Sequence, residues 1–410
     1  MRVIVIGASH AGVAFVDCMR RHGFAGELMM IERLPGLPLE RPPLSKTFIL
    51  ASDDEDDRFE LRAPDWYVDR QVTLMAGHGV VSIDAESRVI TLDDGAVLPF
   101  DRLVLATGAT ARDLPSAEGM DGVFTLRSPD DARHLRAAAA AARSALIIGG
   151  GYIGLEIAAS LTKAGQKVTI IEAAPRVLAR VASPPVSTFF ETRHRDAGVD
   201  VITGAALTEI RSQYGEFVGA TLEDGRQIDA DLLVIGIGVT PNTELAQQAD
   251  LVIGNGIVTD TCMQTSQPDI YAIGDCACDG SAGPGLRIES IHNAHQQAER
   301  AAAAIMGKDL PRHQTPWFWS DQYDVKLQSA GVLPADGREL THVQREGRRS
   351  GGFSVWSFDD AGLVAVEAVA DPAGYMVGKT CLERATAPTP EQVADNDFDL
   401  KAFVADKPVA

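Results

Sequence analysis

Two glycine-rich turns carry the first chemistry legible in the chain. The string GGGYIG, Gly149 to Gly154, follows the apolar run ALIIGG, opens a helix read from Leu155 to Ala164, and is followed about 20 residues on by Glu172 at a strand end. Gly149, Gly151 and Gly154 stand where a dinucleotide fingerprint needs them. They let the backbone turn tightly and a pyrophosphate approach the helix N-terminus, whose unpaired N–H groups and dipole favour anions. Glu172 is then placed to accept both hydroxyls of a ribose. A carboxylate there repels a 2′-phosphate, which favours NADH over NADPH, although Arg176 and Arg180 follow closely enough to soften that preference.

The second turn, GASHAG from Gly7 to Gly12, departs from the fingerprint because Ser9 occupies the place of the middle glycine and crowds the phosphate approach. Ala8, Ala11 and Gly12 keep the close packing, and Glu32 sits at the strand end where an adenosine ribose would lie. In RPPLSK, two prolines stiffen the approach to Lys46 and limit where its ammonium can point. A proline turn before a surface helix reads equally well there. In YAIGDCA, Gly274 permits close backbone approach and Asp275 can accept hydrogen bonds from ribityl hydroxyls. Cys276 and Cys278 lack the further ligands of a metal site. His292 and His295, three apart on a helix, read as structural or solvent-facing. The N-terminus of that helix, beside Glu289, is suited to the electron-rich edge of an isoalloxazine.

The elements that must hold these residues form a repeated βαβ grammar. A β run from Val3 to Ile6, a helix to about Arg21 and a β run from Leu28 to Ile31 return as Ala145 to Ile148, the helix to about Ala164, and Val168 to Ile171. Strands at Leu103 to Ala106 and Leu232 to Ile235 run into small residues, ATGAT and GIGVTPN, as strands do at a ligand. DARHLRAAAAAAR reads as a surface helix. From Pro316 the pattern changes to PWFWSDQYD and strands near Gly352 to Phe358 and Leu363 to Ala370, a separate small α+β domain. The final twenty or so residues fit either a loose tail or a docked helix.

Length and composition bound the rest. A chain of 410 residues that is 45% hydrophobic can bury two or three cores. Its net charge of −20 makes nucleic acid a poor partner, since phosphates need a basic surface. No apolar run reaches the roughly 20 residues of a membrane span, and the first residues, MRVIVIG, show no leader peptide, so the expected setting is cytoplasmic, with no membrane partner. Five scattered cysteines fit reduced thiols.

The ordered set GASHAG, RPPLSK, ATGAT, GGGYIGLE, GVTPN, TSQPDIYAIGDCA, RIES and PWFWSDQYD resembles the FAD-dependent NADH:ferredoxin reductases of oxygenase systems. The segment ARVASPPVSTFFETRHRDAGVDVITG is similar as well, so the likeness spans nearly the whole chain. The resemblance implies an α/β, glutathione-reductase-like fold with two Rossmann-type dinucleotide-binding domains and a C-terminal α+β interface domain. It divides the chain into an FAD domain, 1–110 with 240–315, an NAD domain, 111–239, and an interface domain, 316–410. It also implies FAD contacts at Gly7, Ala11, Gly12, Glu32, Arg41, Lys46, Val80, Ala106, Thr107, Gly108, Arg127, Asp275, Ile291 and Trp319. Its NADH contacts fall at Gly149, Gly151, Tyr152, Ile153, Gly154, Glu156, Glu172, Arg180 and Gly238.

Disulfide reductases of this fold carry a C-x-x-x-x-C pair after the first βαβ unit, whereas no cysteine lies between Cys18 and Cys262 here. Electrons must therefore leave the chain. The reading is hydride transfer from NADH to FAD and one-electron exit to a [2Fe-2S] ferredoxin that feeds a cytochrome monooxygenase. Lys46 would stabilise charge on the reduced flavin, and Glu156 would pair with Lys46 or position the carboxamide. Arg300, Lys308, Arg312 and His313, leading to Trp317, would dock the acidic partner. A rubredoxin reductase, or the reductase component of a ring-hydroxylating dioxygenase, would share every motif. A flavin redox-sensing scaffold is a further alternative.

Overall fold

The strand Arg2–Ile6 is buried along nearly its whole length, as a strand at the middle of a parallel sheet must be. Val3 and Val5 enter the core on one face, Ile4 and Ile6 the core on the other. In the computed structural model, residues 1–280 and 285–405 are described, and the chain forms two compact units. The first comprises Met1–Glu40, Asp54–Thr110 and Val239–Gln314; the second comprises Arg41–Asp53, Ala111–Gly238 and the chain from Thr315 onward.

In the first unit, Arg2–Ile6 pairs in parallel with Glu27–Glu32 and Arg102–Leu105, and Val72–Ala76 and Ile270–Ala272 complete the two edges of a five-stranded sheet. Phe15 and Met19 of the helix His10–Arg21 share a core with Ala298, Ala301 and Ala302 of the helix Ile291–Ile305. Those alanines let two helices approach closely over one face of the sheet.

The second unit repeats the plan. Ser144–Ile148 pairs in parallel with Lys167–Glu172 and Leu232–Ile235, flanked by Asp200–Thr203 and Val123–Thr125. In each unit an antiparallel three-stranded sheet lies in sequence between the third strand and the strand that returns beside the first. These sheets are Val80–Asp84, Val89–Leu92 and Val97–Pro99 in one, and Leu207–Gln213, Glu216–Leu222 and Gln227–Asp229 in the other.

The polyalanine segment is the helix Pro129–Ala141, opened by a capping box between Ser128 and Asp131. Its buried Arg136 sits over the Phe48 ring, 4.8 Å from the centroid, and donates to the Phe48 carbonyl. That contact fastens Arg41–Asp53, and Lys46 with it, to the second unit.

The C-terminal region is an antiparallel sheet in the order Trp317–Gln322, Val325–Gly331, Gly362–Val369, Phe353–Asp359, Thr341–Glu346, with the helix Pro372–Glu383 packed on it. The chain end is docked as far as Ala405. Helices Pro390–Ala394 and Leu400–Ala405 bury Val393 and Leu400 against Trp356 and Phe358. Among the described residues, no helix is long and apolar enough to cross a membrane.

Candidate active site: two glycine turns and a buried ion pair

The two glycine turns have the same geometry. Gly7 and Gly149 take φ of 106° and 105°, a left-handed region that glycine alone enters freely. A Cβ on Gly7 would fall 2.2 Å from the Ala106 carbonyl oxygen, and one on Gly149 would fall 2.4 Å from that of Gly236. Each turn is tied to its strand-end acid. Ala8 N–H donates to Glu32 Oε2 at 2.9 Å and Leu34 N–H to Oε1 at 3.1 Å; Gly150 N–H donates to Glu172 Oε2 and Ala174 N–H to Oε1, both at 2.7 Å. Every carboxylate oxygen keeps further acceptor capacity for a ribose hydroxyl.

Ser9 and Gly151, the paired positions that differ, share a backbone: φ −80° and ψ −163° for Ser9, φ −80° and ψ −178° for Gly151. Both are extended and open to any residue, so serine imposes no strain on the first turn. The crowding expected at Ser9 is therefore limited to its side chain. At Gly151 a Cβ would meet nothing within 4 Å, and no side chain caps the helix Tyr152–Lys163 behind it. The N–H groups of that helix end remain available to an anion.

Glu156, on the same helix, is 3% exposed and faces inward. Lys46 Nζ lies 2.8 Å from its Oε2, Ser45 donates to the same oxygen, and Ser320 Oγ lies 2.6 Å from Oε1. Ser160 Oγ, one turn along the helix, donates to the Ser45 carbonyl at 2.8 Å, and Lys46 also donates to the Pro42 carbonyl. The short 3₁₀ turn Pro42–Ser45 thus aims both Ser45 and Lys46 at one carboxylate. Of the two roles expected for Glu156, the geometry gives the pairing with Lys46.

This arrangement has known relatives. Residues 1–298 match the family model described as pyridine nucleotide-disulphide oxidoreductase, and residues 317–404 match one described as reductase C-terminal. The chain belongs to the pyridine nucleotide-disulphide oxidoreductase family, in its ferredoxin-reductase branch. The reductase is 40% identical to rhodocoxin reductase of Rhodococcus erythropolis over 99% of this chain and 95% of that one. It is 38% identical to putidaredoxin reductase CamA of Pseudomonas putida over 98% and 96%. A crystal structure of the covalent putidaredoxin reductase–putidaredoxin complex superposes with a TM-score of 0.92 at 36% identity, covering 98% of each chain.

The remaining expected positions fall as follows in the reductase. Within the first unit, Ala106, Thr107 and Gly108 follow the strand Arg102–Leu105, and Asn242 of GVTPN stitches that loop. It donates to the Thr107 carbonyl at 2.8 Å, and Thr107 Oγ1 returns a bond of 2.8 Å to the Asn242 carbonyl. Both motifs are visible in the sequence, but their mutual pairing is not. Gly274 packs against Ala11 so closely that a Cβ would lie 2.9 Å from it, which brings Asp275 to the first turn. Val80 opens the meander, and Ile291 opens the helix capped by Ser290.

Within the second unit, Arg41 donates to the Arg127 carbonyl, and Tyr152 lies against Phe318 at 4.6 Å between ring centroids, its phenol pushed up by burial. Trp319 leans on Trp317 at 5.5 Å, Ile153 is exposed, and Arg180 lies over Gly238. The Arg176 guanidinium donates to the carbonyls of Ala179 and Ala182, 3.0 and 2.9 Å away, and so organises its own loop.

Arg300 is likewise engaged, with the Thr261 and Pro311 carbonyls, whereas Lys308, Arg312 and His313 are exposed. Ser45, Ser320 and Arg136 were missed from sequence; the two serines do lie inside RPPLSK and PWFWSDQYD, beside residues singled out there. Burial raises the pKa of Cys18, Cys276, Cys278 and Cys381, the last to about 11, so these thiols stay protonated near neutral pH. Among the described residues, the one group with metal-ligand spacing is His78, Asp93 and Asp94 at the surface, and it includes neither Cys276 nor Cys278.

Proposed function

We propose that this reductase takes hydride from NADH onto FAD and passes the electrons one at a time to a [2Fe-2S] ferredoxin that feeds a cytochrome monooxygenase. The observation that carries the reading is the duplicated glycine turn with its strand-end acid, in a chain with no cysteine between Cys18 and Cys262. The turns fit dinucleotides: the uncapped helix end behind Gly151 offers N–H groups to a pyrophosphate, and the open space at Gly151 admits it. When bound, FAD supplies a hydride acceptor that can release electrons singly.

The chain's own residues bind and orient. Gly149, Gly151 and Gly154 receive the NADH pyrophosphate, Glu172 accepts its ribose hydroxyls, and Tyr152, Ile153, Arg180 and Gly238 line the rest of its path. The carboxylate of Glu172 would favour NADH over NADPH, and the bonds of Arg176 to its own loop support that preference. Gly7, Ala11, Gly12, Glu32, Ala106 to Gly108 and Asp275 receive FAD. Lys46 would supply an ammonium to stabilise negative charge on the reduced flavin, and Glu156, paired with it at 2.8 Å, would hold that ammonium in place. Residues 1–110 with 240–315 serve FAD, 111–239 serve NADH, and 316–410 form the partner interface, in a cytoplasmic setting.

NADH-driven reduction should be measured against a panel of [2Fe-2S] ferredoxins and rubredoxins, with NADPH as control. Turnover that is fast with at least one ferredoxin and slow with all rubredoxins supports the reading; the reverse order makes the chain a rubredoxin reductase. A reduced, stable NAD complex that turns over with neither would make it a redox-sensing scaffold.

A further inference from the structure

A buried polar chain continues away from Glu156 through residues that the proposed reaction does not use. Ser320 Oγ, 2.6 Å from Glu156 Oε1, lies 3.2 Å from Gln322 Nε2; Gln322 Oε1 lies 2.9 Å from His194 Nε2; and His194 Nδ1 lies 3.0 Å from the Tyr323 hydroxyl. Ser320, Gln322 and His194 are each wholly buried. An interior of this kind is stable only when every polar atom has a partner of the right sense.

That requirement fixes the direction of every bond. Glu156, as the anion paired with Lys46, can only accept, so Ser320 must give it the hydroxyl proton. The Ser320 oxygen is then left as an acceptor, and the group facing it must be the Gln322 amide nitrogen. The Gln322 oxygen accordingly faces His194 and accepts, so His194 carries its proton on Nε2. Its Nδ1 is left to accept from Tyr323. All the donors point one way, from Tyr323 toward Glu156.

We infer that His194 is a positioning residue for the Lys46–Glu156 pair: with Tyr323, Gln322 and Ser320 it forms a one-way chain of donors that claims Glu156 Oε1 and leaves Oε2 to Lys46 and Ser45. The inference rests on the proposed role of Lys46 toward reduced flavin. Two features independent of the chain support it. Tyr323, the first turn residue after the strand Trp317–Gln322, holds a φ of 57°, a costly conformation for a bulky residue that keeps its ring tilted on His194 at 5.0 Å. Arg193, which stacks over Tyr323 at 4.4 Å and pairs with Asp324 at 2.9 Å, clamps that turn against the helix Pro184–Asp196. Burial, with a smaller contribution from the Arg193 charge, lowers the His194 pKa to about 4, consistent with a neutral ring.

The test uses the flavin-loaded reductase and two readouts. The imidazole ¹⁵N spectrum should show His194 neutral, protonated on Nε2 and bare on Nδ1 from pH 8 to pH 5; a proton on Nδ1, or an imidazolium at pH 7, would overturn the inference. The second readout is the flavin midpoint potential with the rate of flavin reduction by NADH. His194→Gln keeps an acceptor for Tyr323 and a donor for Gln322, so both values should stay near wild type. His194→Leu keeps bulk but no polarity, and should slow flavin reduction by about threefold to tenfold, the worth of one hydrogen bond, and shift the potential. Equal behaviour of the Gln and Leu variants means packing alone and overturns the proposal. Should His194→Leu fail to fold, Gln322→Leu replaces it: without the oxygen that holds the proton on Nε2, a mixed His194 tautomer is expected, and an unchanged one overturns the proposal. The spectrum reads the chain even if no ferredoxin is reduced, so failure of the proposed function remains distinguishable.

Discussion

Lys46 Nζ and Glu156 Oε2 lie 2.8 Å apart, with Glu156 almost wholly shielded from water and Lys46 mostly so. The pair is held from both ends: Ser45 and Ser320 occupy the carboxylate, and the Arg136–Phe48 contact fixes the turn that carries Lys46. A buried carboxylate with three donors is well satisfied, and the removal of its cation leaves a charge the interior cannot absorb.

Lys46→Met should therefore cost roughly 3 kcal/mol of stability or more in denaturant unfolding, and should slow flavin reduction by about a hundredfold with little change in KM for NADH. Glu156→Gln should be milder, because the ammonium it leaves without a counter-charge is less buried than the carboxylate and keeps its bond to the Pro42 carbonyl. If stopped-flow rates for both variants match wild type, the pair has no part in hydride transfer.

The coenzyme preference should follow Glu172 and ignore Arg176. Glu172→Gln keeps one acceptor but loses the charge, so KM for NADH should rise about tenfold and discrimination against NADPH should shrink. Arg176→Ala removes the bonds to Ala179 and Ala182, so the thermal midpoint should fall while the ratio of kcat/KM for NADH and NADPH stays put. A large gain in that ratio for the Arg176 variant would show that the guanidinium does meet a phosphate.

Glu367 gives the reductase a pH signature. Its carboxyl is buried, both oxygens lie 3.1 Å from Ser183 N–H, and burial pushes its pKa up to about 7 despite that bond and the Arg176 charge. The folded protein thus binds a proton more tightly than the unfolded chain. The stability from this group is full below the ordinary glutamate range and is lost as pH rises through about 7, a span of about 3 kcal/mol. His194 has the opposite sign, since its lowered pKa makes stability rise between about 4 and 6.5. The difference between wild type and Glu367→Gln isolates the first effect: the variant should gain on wild type as pH is raised from 5 to 8. A flat difference would contradict it.

The docked chain end depends on Arg345. Its guanidinium donates to the carbonyls of Val393, Asp395, Asn396 and Phe398, at the end of the helix Pro390–Ala394 and just beyond it. Arg345→Met should lower stability by about 2 kcal/mol and raise hydrogen exchange over 390–405, leaving the glycine turns protected. Unchanged exchange there would mean that Val393 and Leu400 hold the segment by burial alone.

The sequence was informative where structure is local. Both βαβ units are legible because periodicity, glycine and a strand-end acid all fall within one stretch, and the strand Leu232–Ile235 was read to the residue. The site was half legible. Lys46 and Glu156 each stand in a recognisable string, but their serine partners reach across separations of 111 and 164 residues, which no local pattern encodes. The same holds for the His194–Gln322 bond, and for the attachment of Arg41–Asp53 to the rest of the second unit, to which Arg136 contributes from a helix that reads as bland polyalanine. The docked tail was ambiguous because its carbonyls are satisfied by a side chain far upstream.

The central claim is that electrons leave this chain singly without passing through its thiols. The most direct measurement is anaerobic titration of a [2Fe-2S] ferredoxin with NADH and catalytic reductase, before and after alkylation of the accessible cysteines. The account predicts two ferredoxins reduced per NADH consumed and the same stoichiometry after alkylation; loss of ferredoxin reduction on alkylation, or one new thiol pair per NADH, would contradict it.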